Sequence, residues 1–153
     1  RWLALTKPLG VSLPTWIAFI VIVILGILAA FAVPRFVSIS ADARVANVNS
    51  LAGSLRSASA LAYAVSLAQN RSTGESITVD GQTIAMLNRY PDAESISNTI
   101  VDLTNFTSSL SGTTIAVFQA NGAATPASCQ VTYTEAGATG GPTITVTAST
   151  ANC

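Results

Sequence analysis

The sequence predicts an α+β chain, a long N-terminal helix followed by an antiparallel sheet of about three to four strands packed on it. Three observations predict this. Residues 16–33 (W-I-A-F-I-V-I-V-I-L-G-I-L-A-A-F-A-V) carry no charge and no strong polar group. Beyond Pro34, apolar side chains recur at spacings of three and four as far as about Gln69, the period of a helix with one buried face. From Glu75 onward the period shortens to two and turn residues punctuate the chain.

Composition narrows the function classes. The chain has 153 residues, enough for one domain, and only 9% are charged, against about 25% in an average soluble protein. Seven basic and seven acidic residues cancel, which argues against an electrostatic nucleic-acid binder. There is no histidine, so the commonest general base and metal ligand is missing.

Residues 1–12 read as a leader-like or extended segment, with Arg1 and Lys7 ahead of Pro8 and Gly10. A basic stretch before an apolar run is the layout of a signal peptide or a signal anchor. Residues 13–36 form the apolar helix. The eighteen residues 16–33 would span about 27 Å, close to the ~30 Å of a bilayer's hydrocarbon. Such a surface belongs in lipid or in the core of an assembly. Gly26 and Pro34 are its weak points, because glycine lowers helix stability by about 1 kcal/mol and proline removes a backbone hydrogen bond. They mark a segment expected to kink, stretch or melt, so the long helix is predicted to be interrupted between them.

Residues 37–70 form the amphipathic half. Val37, Ala41, Val45, Val48, Leu51, Leu55, Ala58, Ala62 and Val65 make the stripe, and Asp42, Arg44, Asn47, Asn49, Ser54 and Arg56 the wet face. Asn70 to Gly74 stops the helix. Residues 71–153 form the head. Asp80-Gly81 between Ile77–Val79 and Thr83-Ile84 is a hairpin signal. Arg89-Tyr90-Pro91 reads as a turn, and Asp92 as the cap of a short helix over 93–103. Thr113–Gln119, Gln130–Glu135 and Pro142–Thr150 read as an antiparallel meander with one wet face.

No H-E-x-x-H, C-x-x-C, P-loop or G-x-S-x-G occurs, and the seven carboxylates are scattered. The expectation is a protein that is not an enzyme and that uses no cofactor or metal. Asn70-Arg71-Ser72 and Asn105-Phe106-Thr107 match a glycosylation sequon, a pattern short enough to arise often by chance. Cys129 and Cys153 are the only cysteines, and a late pair after an export signal fits one disulfide.

I-V-I-V-I-L-G-I-L-A-A-F-A-V-P-R-F (residues 20–36) resembles the N-terminal helix of type IV pilins and of type II secretion pseudopilins. The Tyr90-Pro91 turn and the late cysteines resemble the mannose-sensitive haemagglutinin type of pilin. The resemblance implies a pilin fold and a structural subunit of a type IV pilus for surface attachment or motility. It implies a route in which a prepilin in the inner membrane is cut by a prepilin peptidase, methylated at its new N-terminus and extruded by an assembly machine into an extracellular filament. Its partners are copies of itself. Ile20, Ile22, Ile24, Leu25, Ile27, Leu28 and Phe31 would line the filament core, and the helix would unwind between Gly26 and Pro34.

Lys7-Pro8-Leu9-Gly10 resembles the end of a leader, which makes Gly10 the candidate cleavage position. The family's G-F-T-L-I-E-L is not reproduced: the position of its glutamate falls on Ile17 or Thr15, and neither is acidic. The alternatives are a pseudopilin of a type II secretion system, a minor pilin, or an anchored adhesin. The late cysteines and the acid-poor head favour the pilus.

Overall fold

The computed structural model describes residues 15–153, and for residues 32–38 the backbone alone. The expected leader-like segment and Gly10 lie outside the described residues. The chain divides into two units, the first ending at Val37 and the second running from Ser38 to Cys153.

Helix α1 spans Thr15–Ala68, 54 residues. Its apolar part reaches Phe31 with side chains exposed all round apart from a half-buried Ile17. Among the described residues no helix is long and apolar enough to cross a membrane. The expected interruption between Gly26 and Pro34 is absent, since α1 is helical without a break through both positions. Helix formation is cooperative once nucleated, and long helical flanks outweigh one lost hydrogen bond and one glycine.

In the second unit α1 buries one stripe. Ala41, Val48, Leu51, Ala52, Leu55 and Ala62 are buried, at separations of three, four and seven that fall on one helix face. Asp42, Asn47, Asn49, Ser54 and Arg56 are exposed, as expected of the wet face. Arg44 is half-buried and departs from it.

After α1 come two small hairpins. Strands β1 (Ile77–Val79) and β2 (Gln82–Ile84) pair antiparallel. Asp80 and Gly81 both take positive φ, 50° and 79°, as a two-residue turn matching the sheet twist requires. Ile77, Ile84 and Met86 pack with Ala62 in a satellite core. Strands β3 (Met86–Leu87) and β4 (Tyr90–Pro91) form the second hairpin. The turn expected at Arg89-Tyr90-Pro91 is therefore one step early: Asn88 and Arg89 make it, at φ 52° and 70°, and Tyr90 and Pro91 are strand residues.

The helix expected over 93–103 shrinks to a short 3-10 segment, Ile96–Thr99. Asp92 closes the turn ahead of it, accepting from the backbone N–H of Ser95 at 2.7 Å, but the cap position of the 3-10 segment itself is Ser95, which makes no side-chain cap bond. Thr99 returns its hydroxyl to the carbonyl of Ile96 at 2.6 Å, and Ile100 is already extended. Such local side-chain bonds compete with helix propagation.

The main sheet has four strands in the order β5 (Phe106–Ser111), β6 (Ile115–Ala120), β7 (Gln130–Thr134), β8 (Thr143–Thr147). It is an antiparallel meander, so the expected architecture holds with β5 added ahead of the three strands read from the sequence. The core side of the sheet presents Phe106, Ala116, Phe118, Ala120, Val131, Tyr133, Ile144 and Val146 to Val48, Leu51, Ala52 and Leu55 of α1. A helix followed by antiparallel sheets is an α+β arrangement consistent with the pilin fold. The other side presents Thr107, Ser109, Ser111, Ile115, Val117, Gln119, Gln130, Thr132, Thr134, Thr143, Thr145 and Thr147, none of them charged.

Candidate functional site

The first candidate surface is the apolar part of α1. A helix normally hides one face, and this one hides none between Ala18 and Phe31. Fractional exposure is 46% at Ile20, 51% at Ile24, 61% at Leu28 and 75% at Phe31. Ile22, Leu25 and Ile27, the other residues expected in the filament core, are exposed as well. These seven side chains are all exposed along one helix. Gly26 has no atom within 4 Å of where a Cβ would stand, so packing within the chain does not require a glycine there.

The second feature is the closure of the head. Cys129 and Cys153 are joined by a disulfide, with Cα atoms 5.2 Å apart, as the sequence predicts. Both are buried. Arg44 of α1 reaches across to the same place, donating to the carbonyls of Cys153 at 3.0 Å and Asn121 at 3.3 Å. Gly122, at φ +71°, lets the chain pass this guanidinium: a Cβ there would sit 3.2 Å from Nη2 of Arg44. Arg56 donates to the carbonyl of Ile144 at 3.4 Å. Two arginines expected on the wet face thus reach from α1 to the head. Their partners lie 77 to 109 residues away for Arg44 and 88 for Arg56, a distance at which sequence periodicity is silent.

Among the described residues every buried side-chain nitrogen and oxygen has a hydrogen-bond partner. Tyr133 is fully buried, and its hydroxyl donates to the carbonyl of Pro91 at 2.7 Å. Burial, and then the charges of Glu135 and Asp92, hold its ionisation well above the ordinary tyrosine value. Glu135 accepts from the N–H of Ala93 at 3.1 Å. Asp102 is exposed, and its carboxyl is held below its usual range by the hydroxyl and backbone N–H of Thr104. Among the described residues no group of three or more Asp, Glu or Cys stands together as a metal site would need.

A third feature escapes sequence reading. Tyr63 of α1 and Tyr90 of β4 stack with ring centroids 4.7 Å apart, over the Asn88-Arg89 turn and beside the loop that carries Gly140 and Gly141. The tyrosines are 27 residues apart in sequence, and they meet where the second hairpin lies against α1, at the bond from Ser66 to the carbonyl of Arg89.

Comparison with known proteins gives one informative match. A 43-residue stretch, 28% of this chain, is 58% identical to the Type IV narrow pilus major component PilA5 of Thermus thermophilus. The match takes in 37% of that relative, so the chain spans little more than a third of its length. No family model matches the chain, and no solved structure matches it.

Proposed function

We propose that this chain, which is similar over 43 residues to a type IV pilus component, is a structural subunit that polymerises into a pilus filament. The observation that carries the reading is the apolar helix whose side chains from Ala18 to Phe31 are all exposed. Burying apolar surface is worth about 25 cal/mol per Å², and a helix apolar all round needs cover all round. Copies of the same helix provide it with matching chemistry and no unpaired polar group. The late disulfide and the named relative point the same way.

Before assembly the apolar half lies in the inner membrane, and a prepilin peptidase releases it for the assembly machinery. After assembly the heads form the skin of an extracellular filament that serves attachment or motility. The protein does this work without catalysis or a cofactor.

The test is charge placement. Leu28→Arg puts an unpaired guanidinium into either lipid or a dry helical core, where uncompensated charge costs several kcal/mol. Asn47→Arg adds the same charge on the exposed face of the second unit. At matched subunit levels, electron microscopy should show filaments reduced at least tenfold for Leu28→Arg and little changed for Asn47→Arg. Equal yields would refute the polymerisation reading.

A further inference from the structure

Outside the apolar helix and the disulfide, one place gathers unused chemistry. Tyr63, Thr73, Asn88, Arg89, Tyr90 and Gly141 line an open cleft of about 410 Å³, within the size range of small-molecule sites. Its lining includes one cation, Arg89, and no carboxylate. Among the described residues no hydrogen bond or ion pair engages that guanidinium.

The backbone holds Arg89 there at a cost. Its φ of +70° is a conformation disfavoured for any residue with a Cβ. The turn is nevertheless fixed from two sides. Ser66 of α1 donates to the carbonyl of Arg89 at 3.3 Å, and the amide of Asn88 donates to the carbonyl of Ala136 at 2.8 Å. Gly141 brings the glycine-rich loop alongside Tyr90, where even a Cβ would meet the ring at an ordinary contact distance of 3.5 Å. The cleft is thus lined by Arg89 together with both tyrosines of the stacked pair.

We propose that this cleft binds a sugar unit carrying a carboxylate, such as a uronic acid. A guanidinium meets a carboxylate in a two-bond fork. Half-exposed tyrosines offer an apolar ring to the C–H faces of a pyranose and a hydroxyl to its polar edge. The hydroxyl of Thr73 and the amide oxygen of Asn88 can each bond a sugar hydroxyl. A nucleic-acid strand fits less well, because its affinity rests on several cations along a backbone and this cleft supplies one in a chain of zero net charge. A bare phosphate would leave the tyrosines without a role. The inference stands apart from polymerisation, since every lining residue belongs to the second unit.

Arg89→Gly separates recognition from structure, because glycine relieves the positive φ while removing the guanidinium. The full-length protein in detergent micelles is titrated with galacturonate, galactose, inorganic phosphate and an eight-residue oligothymidylate. Binding is followed by NMR shifts of the tyrosine rings. Galacturonate should saturate at millimolar levels, galactose should bind at least tenfold more weakly, and phosphate and oligothymidylate should produce no saturable shift. Arg89→Gly should weaken galacturonate at least tenfold with its thermal midpoint unchanged or raised. The proposal is overturned if galacturonate fails to saturate, or if phosphate or oligothymidylate binds as well. It is also overturned if Arg89→Gly binds normally, or if that variant lowers the thermal midpoint, which would make Arg89 a structural residue.

Discussion

Replacing Tyr133 by phenylalanine tests how the head is held together. The ring is fully buried among residues of α1 and the sheet, and its hydroxyl bonds the carbonyl of Pro91, itself fully buried, at 2.7 Å. Phenylalanine keeps the ring and removes the donor. A buried neutral hydrogen bond contributes about 1 kcal/mol net, and an acceptor left short of a partner adds to the loss. The expected cost at pH 8 is about 1–2 kcal/mol. The pH dependence is the sharper half of the prediction. The folded-state pKa of Tyr133 is raised above the unfolded value of 10.0. The stability linked to its neutral form is therefore complete below pH 10 and is lost as pH rises toward the folded pKa, by up to about 1.4 kcal/mol per unit. By pH 11 the native protein has lost about that much from this residue and Tyr133→Phe none, so the cost of the substitution should nearly vanish. Other titrating groups are common to both proteins and cancel. Urea unfolding at pH 8 and pH 11, followed by circular dichroism in detergent, measures both values. A cost below about 0.5 kcal/mol at pH 8, the low end for one hydrogen bond, or one that does not shrink at pH 11, would refute the reasoning.

Two further predictions concern the closure of the head. Cys153→Ser should destabilise it by about 3 kcal/mol, the loop-entropy value for a bridge spanning 24 residues, and in urea unfolding a reducing agent should have no further effect on the variant. Gly122→Ala should cost about 1–3 kcal/mol, because it forces a Cβ into a left-handed conformation and against Arg44; a thermal midpoint equal to wild type would refute that account.

The legible parts of the chain were those governed by local periodicity. The stripe from Ala41 to Ala62 announced α1, and Asp80-Gly81 announced the first hairpin, because a positive-φ pair has a distinctive composition. Strand β5 was not legible: F-T-S-S-L-S has three serines in six residues, and its strand character comes from pairing with β6. The helix expected after Asp92 stops early where Thr99 bonds back to Ile96 and Ile100 turns extended. Of the candidate sites, the apolar helix and the cysteine pair were visible in the sequence. The Arg44 contacts and the Tyr63–Tyr90 pair were not, since each depends on residues joined only by folding. Asn88-Arg89 gave no turn signal because neither position is glycine.

The outer face of β5–β8 is clothed in hydroxyls, amides and methyl groups without one formal charge. Water on such a face is held by dipoles, which have no counterion cloud for salt to compress. Its hydration is therefore nearly indifferent to ionic strength. A filament skin built from this face would stay equally wet in fresh and saline water, and contacts made through it would have to rely on shape and hydrogen bonds.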